Sequence, residues 1–253
     1  MSTDWRTVAY MARRRFFVDA VHSGHAQIVG EQAHHLSRVL RVEPGQKFEI
    51  SDNQTVYLAV VESARKDLVS FAIVEQIVAG APVVRTVLLA SLIKFEHFEW
   101  MIEKATELGV ERVVPVEAER SEKGLVTAAL KRTARWSRIA RESSEQSRRT
   151  RLPTIERVVS LPDALRDQAD YRFVLEEAGA APIMAILPAA LRAEDRVAVL
   201  VGPEGGWTDR ERAEIAAAGW AAVSLGPQIL RAETAAIAGL SIINALWNAT
   251  SLR

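Results

Sequence analysis

The sequence predicts an α/β domain built on a parallel sheet, preceded by a small β-barrel. Three observations predict it. From about residue 85 onward, apolar strand-like runs alternate with amphipathic helical patterns, as strands joined by crossover helices require. Between Arg15 and Val78 the segments are instead short and β-like, separated by Gly, Pro, Asn and Asp. Near the C-terminus two strand-like runs both end in Gly-Pro, at the strand ends where open α/β sheets bind ligands.

Taken in order, residues 1–12 carry no clear pattern and read as an extension or disordered tail, with Met11 as an alternative start. Residues 13–78 form the expected barrel, from "RFFVD", "AQIVG", "KFEISD", "VYLAVVES" and "LVSFAIVEQIV". Within it "EQAHHLSRVLRV" has helical spacing that puts Ala33, Leu36, Val39 and Leu40 on one face and Arg38 and Arg41 elsewhere. His34 and His35 are adjacent, so on a helix they diverge, and no other group at helical spacing completes a metal site with them. Residues 79–84 read as a linker, broken by Gly80 and Pro82.

Residues 85–253 form the second domain. "TVLLASLI" is continuously apolar, as a strand covered on both faces should be. "FEHFEWMIEKATELG" follows with Phe95, Phe98, Ile102 and Ala105 at helical spacing, and Gly109 stops it. "RVVPV", "YRFVLEE", "RVAVLVG" and "AAVSLG" supply further strands, with a long basic helix from about Thr127 to Ser147. The last segment, "ETAAIAGLSIINALWNAT", is apolar around most of its circumference and needs cover on more than one side, from the core or from a second copy.

Formal net charge is zero, but the stretch from Lys131 to Arg151 carries an excess of six positive charges. It is a candidate phosphate-binding face, or else a solvated helix face with ion pairs. The chain has no cysteine, which excludes thiolate-ligated zinc, a thiol nucleophile and disulfides. No apolar run approaches the roughly 20 residues of a membrane helix, and the N-terminus lacks a signal peptide's apolar segment, so the expected location is cytoplasmic.

The informative stretch is "VGPEGGWTDRE", Val201 to Glu211. Thr208 and Glu211 fit a capping box, so a helix should begin there and leave Gly202 to Trp207 as a loop. It lacks both the Gly-x-Gly-x-x-Gly fingerprint and the Gly-Lys-Ser/Thr of a phosphate loop, and Glu204 would repel a phosphate. It is either a tight strand-to-helix turn or one wall of a pocket for another kind of ligand. "SLGPQILRAETAA", Ser224 to Ala236, repeats the arrangement and sets Arg231 and Glu233 just before the apolar helix. Two such loops could form two walls of one pocket, with Leu175-Glu176-Glu177 at a third strand end near them.

"HHLSRVLRVEPGQ", "EKATELGVERVVPVEAERS", "RWSRIARESSEQSRR", "VGPEGGWTDRE" and "LGPQILRAETAA" together resemble the bacterial 16S ribosomal RNA uridine-N3 methyltransferases of the RsmE type, in the SPOUT superfamily. The words occur in the family's order and cover nearly the whole chain from about Arg13. The resemblance implies a PUA-like barrel followed by an α/β methyltransferase domain whose C-terminal part forms a deep trefoil knot. It also implies S-adenosylmethionine as cofactor, a homodimer, no metal, and 16S rRNA in the small ribosomal subunit as substrate. Carried over by position, the cofactor site comprises Leu175, Leu200, Gly202, Glu204, Gly205, Gly206, Leu225, Gly226, Ile229, Leu230 and Arg231. Gln228 and Ala232 stand where many members of the family have Arg and Thr.

Methyl transfer to N3 needs an aligned nucleophile and help with the N3 proton. Arg231 and Glu233 are the candidate catalytic pair, Arg231 for charge near the base and Glu233 to assist proton removal or to position another group; alternatively they pair with each other and cap the last helix. Direct attack by N3 needs no thiolate, consistent with the absent cysteine. Candidate RNA contacts are Arg13, Arg14, Arg15, Arg38 and Arg41 on the barrel, and Arg135, Arg138, Arg148 and Arg149 in the basic segment. Rival readings are a SPOUT enzyme for another RNA or for ribose 2′-OH, and a non-catalytic ribosome assembly factor.

Overall fold

The computed structural model describes residues 14–80, 82–177, 179–187 and 191–250; the proposed extension 1–12 and Arg13 lie outside them. The chain divides into two compact units, one running up to Gly80 and taking in Ser144–Leu152, the other comprising Ala81–Ser143 and Pro153–Arg253.

The first unit holds β1 (Arg15–Phe17), β2 (Val21–His22), β3 (His25–Val29), β4 (Lys47–Ser51), β5 (Val56–Arg65) and β6 (Leu68–Ile77). They make one sheet in the order β1-β4-β5-β6-β3-β2, antiparallel except for the β1–β4 pair. Alternate residues such as Phe16, Ile28, Ile50 and Phe71 fill its core. The expected helix is present as α1 (Gly30–His34), but it continues as a π turn over His35–Val39, with Leu40 N–H donating to the His35 carbonyl at 3.1 Å. The wider turn shifts the helical face. Ala33 and Leu36 are buried as the spacing predicts, whereas Val39 is turned outward and 63% exposed.

Ser144–Leu152 belongs to this unit, although the sequence reading keeps it with the second domain. The reason is Glu49, fully buried on β4. Its carboxylate accepts from Arg15 Nε at 3.0 Å and Nη2 at 2.7 Å, and pairs with Arg148. Ser51 Oγ donates to the Thr150 carbonyl at 2.6 Å, and Leu152 N–H to Asn53 Oδ1 at 2.7 Å, so the segment is stitched down along its length.

The second unit contains β7 (Val84–Ser91), α2 (Phe95–Glu107), β8 (Arg112–Glu117), α3 (Leu125–Ala129), α4 (Thr133–Gln146) as far as Ser143, β9 (Thr154–Ile155), β10 (Val159–Ser160) and α5 (Leu161–Ala164). It continues through β11 (Tyr171–Leu175), β12 (Ala181–Pro182), α6 (Ile183–Ile186), β13 (Asp195–Val201), α7 (Asp209–Ala217), β14 (Ala221–Ser224) and α8 (Ala232–Thr250). The sheet order is β10-β8-β7-β13-β11-β14-β12, with β9 also on β8, and every recorded pair is parallel.

Both faces of this sheet are covered, which is why β7 and β13 read as continuous apolar runs. Along β13, Val197, Val199 and Val201 join one core with Phe98, Trp136 and Leu240, while Ala198 and Leu200 join the other with Trp207, Ile215 and Trp220. On α8, Ala236, Leu240, Ile243 and Trp247 form the buried stripe, and Trp247 Nε1 donates to Asp195 Oδ2 at 3.0 Å. No described helix is long and apolar enough to cross a membrane.

Candidate active site

Three neighbouring strands, β13, β11 and β14, deliver their carboxyl ends to one place, because β11 lies between the other two. There a cleft of about 270 Å³ opens, walled by the loop after β13, the loop after β14 and the end of β11. Nine of the eleven residues expected at a cofactor site line it: Arg231 and, with it, Leu175, Gly202, Glu204, Gly206, Leu225, Gly226, Ile229 and Leu230. The two Gly-Pro loops are therefore two walls of one cleft.

Leu200 and Gly205 do not line the cleft. Leu200 is fully buried in the core on the opposite side of the sheet from Val199 and Val201, as strand alternation dictates, so it can only support the strand beneath. Gly205 turns outward, with its carbonyl accepting from Arg120.

The first wall is held by close approaches. A Cβ on Gly202 would sit 3.0 Å from Trp207 Nε1, so the absence of a side chain lets the buried indole pack beneath the loop. Gly206 N–H donates to the Pro203 carbonyl at 2.8 Å, and Gly206 takes φ +66°, a conformation that strains other residues. The loop then enters α7 through the expected capping box. Thr208 Oγ1 accepts from Glu211 N–H at 3.3 Å, and Glu211 Oε2 accepts from Thr208 N–H at 2.8 Å. Buried Glu211 uses its other oxygen to accept from Glu119 N–H at 2.8 Å, tying the loop to the segment after β8.

The charges around the cleft fall into two kinds. Glu176 faces Arg212, with Nε 3.2 Å from Oε1, and so is neutralised locally. Glu177, Glu204 and Arg231 are exposed, with no side-chain ion pair among the described residues. Trp207, Arg212, Gln228 and Ala235 also line the cleft. Arg212 and Ala235 lie inside helices, and only their positions one turn beyond each loop signal this in the sequence.

Glu233 corrects one expectation. It is 6% exposed and does not line the cleft, and neither does it pair with Arg231. Its Oε1 lies 3.2 Å from His97 Nδ1 on α2. On α8, Ala232 and Ala235 face the cleft one turn apart, and an adjacent position is rotated away by about a hundred degrees. Glu233 therefore anchors the start of α8 against α2, while Arg231 stays free at the mouth.

The expected RNA contacts divide in the same way. Arg14, Arg38, Arg41 and Arg138 are exposed. Arg15 is buried against Glu49 and cannot reach a phosphate, and Arg148 shares that carboxylate. Arg135 and Arg132 both reach Glu99, at 2.9 and 2.7 Å, so part of the basic run is neutralised. Arg149 Nε donates to the Arg151 carbonyl at 3.0 Å. Among the described residues no group of three or more His, Asp or Glu could hold a metal ion.

The two units answer to one class of protein, the RNA methyltransferases. Two family descriptions match: an RNA methyltransferase domain over residues 80–244 and an RNA methyltransferase PUA domain over residues 28–74. The ribosomal RNA small subunit methyltransferase E of Bacillus subtilis is 33% identical, with 86% of this chain and 88% of the relative covered. The protein of the same name from Aquifex aeolicus is 32% identical over 81% of this chain and 88% of its own length. A crystal structure of the Neisseria gonorrhoeae enzyme of that name, bound to S-adenosyl methionine, superposes with a TM-score of 0.83 at 26% identity, covering 93% of this chain and 98% of its own. The chain belongs to the ribosomal RNA small subunit methyltransferase E family.

Proposed function

We propose that this protein transfers a methyl group from S-adenosylmethionine to N3 of a uridine in 16S rRNA, acting on the small ribosomal subunit. The observation that carries the reading is the cleft formed by the ends of β11, β13 and β14, in a chain whose relatives are ribosomal RNA small subunit methyltransferases.

The cleft suits this cofactor on its own chemistry. Its walls are mostly backbone and apolar side chains, including Leu175, Leu225, Ile229 and Leu230, which fit a nucleoside and expose main-chain groups to its edges. Its lining sets the carboxylates of Glu176, Glu177 and Glu204 against two arginines, and Arg212 is paired with Glu176, which leaves an excess of negative charge that tolerates a sulfonium better than a phosphate. Gly202, Leu225 and Leu230 would hold the adenosine part through backbone groups. When bound, the cofactor supplies an electrophilic methyl group on a sulfonium.

Arg231 does the remaining electrostatic work in this reading. Loss of the N3 proton to solvent places negative charge on the uracil oxygens, which an exposed guanidinium at the mouth stabilises, and attack of N3 on the methyl carbon then releases S-adenosylhomocysteine. Glu233, held by His97, fixes the helix start from which Arg231 projects. The exposed Arg14, Arg38, Arg41 and Arg138 would contact RNA phosphates and orient the substrate without reading its sequence.

The deep trefoil knot, the homodimer and the cytoplasmic location belong to the same reading. The placement of β13 and β14 on either side of β11 supports the knot, and the largely apolar surface of α8 supports a second copy. Sedimentation equilibrium of the intact chain tests the dimer. The activity is tested by mass spectrometry of 16S rRNA from a strain lacking the gene. N3-methyluridine should disappear and return on complementation; its persistence in the deletion strain contradicts the reading.

A further inference from the structure

We infer that Arg120 is a positioning residue for the cofactor loop, acting through the backbone of Gly205 and Trp207 and not by contact with the cofactor. This rests on the cofactor reading of the cleft. Arg120 lies just after β8, in a segment that does not line the cleft. Its Nη1 donates to the Gly205 carbonyl at 2.9 Å and approaches the Trp207 carbonyl at 3.4 Å. These two carbonyls flank Gly206, the residue at φ +66°, so one guanidinium spans the tightest bend of the loop.

Gly205 is shaped to receive it. A Cβ there would stand 3.1 Å from Arg120 Cβ and 3.4 Å from Cδ, so the arginine stem occupies the space a side chain would need. The neighbouring Glu119 acts on the same loop. Its N–H donates to Glu211 Oε1, and its carboxylate accepts from Thr208 Oγ1 at 3.3 Å and from Arg210 Nη2 at 3.1 Å. Residues 119 and 120 thus grip the loop from outside, while its inner face, Gly202, Glu204 and Gly206, is left to the ligand. A loop held from behind loses less freedom when it closes on a ligand, and binding gains accordingly. Both contacts come from the one Nη1 atom, which the planar guanidinium holds in a fixed orientation, whereas an ammonium on a shorter, freely rotating stem holds the same two carbonyls less firmly.

The test compares the intact wild-type chain with Arg120→Ala, Arg120→Lys and Gly205→Ala. Calorimetry should give an S-adenosylmethionine Kd about tenfold weaker for Arg120→Ala, with Arg120→Lys between it and wild type. Methyl transfer should show the loss in the cofactor KM, with kcat at saturating cofactor within about twofold of wild type. Without ligand, amide hydrogen exchange across residues 202–208 should rise in Arg120→Ala and stay unchanged in α2. Gly205→Ala, which displaces the arginine stem, should reproduce the weaker Kd. Unchanged Kd and loop exchange in Arg120→Ala, or a lowered Tm with unchanged Kd, overturn the inference. A wild-type chain that binds no S-adenosylmethionine overturns the functional reading and this inference with it, which separates the two failures.

Discussion

Glu49 and the cleft mouth handle the same side chains in opposite ways. At Glu49 a fully buried carboxylate gathers Arg15 and Arg148, and the arginines serve the fold. At the cleft mouth Arg231 and Glu204 are exposed and without an ion-pair partner among the described residues, and the charges serve whatever enters. Arginine content alone does not separate the two. The deciding fact is whether the topology brings a carboxylate from a distant part of the chain.

The comparison makes its largest demand on Glu49. Glu49→Gln leaves two guanidiniums facing a neutral amide in a buried site, which costs about 3–5 kcal/mol of stability by denaturant unfolding. A loss below about 1 kcal/mol would mean that the cluster does not hold the unit together as described. Gly202→Val comes next. Its side chain must displace the buried Trp207 indole, an overpacking cost of about 1–3 kcal/mol that a shift in tryptophan fluorescence should accompany.

Thr208→Ala removes half of the capping box and should cost about 1 kcal/mol, since Glu211 keeps its bond from Glu119. Arg231→Ala should change stability least, by no more than about 0.5 kcal/mol, because nothing in the fold leans on its side chain. Its effect belongs to chemistry: methyl transfer at saturating RNA should fall by about a hundredfold or more while cofactor binding persists. Near-normal turnover in that variant would remove Arg231 from the mechanism and erase the contrast with Glu49.

What the sequence reveals and what it conceals follow the same division. Local signals survive intact. The alternation of β7, α2 and β8, the two Gly-Pro loops and the box from Thr208 to Glu211 all depend on neighbours a few residues apart. Pairings across the fold are invisible to such patterns. Glu49 meets Arg148 across 99 positions, and Arg120 meets Gly205 across 85. The excess positive charge from Lys131 to Arg151 therefore looks free, although Glu49 and Glu99 hold several of its members. Val39 departs from its expected face for a smaller reason, since a π turn breaks the 3.6-residue period on which helical spacing depends. Glu233 stands two residues from Arg231 in the chain, close enough to suggest a shared role, but residues two apart at a helix start do not face each other, and its partner is His97 on α2.

A crystal structure of this protein with S-adenosylmethionine tests the central claim most directly. The account predicts the cofactor in the cleft between residues 202–206 and 225–231, against Leu175, with Arg231 free at the mouth and Glu233 still on His97. A cofactor found away from Gly202 and Leu225 would contradict it.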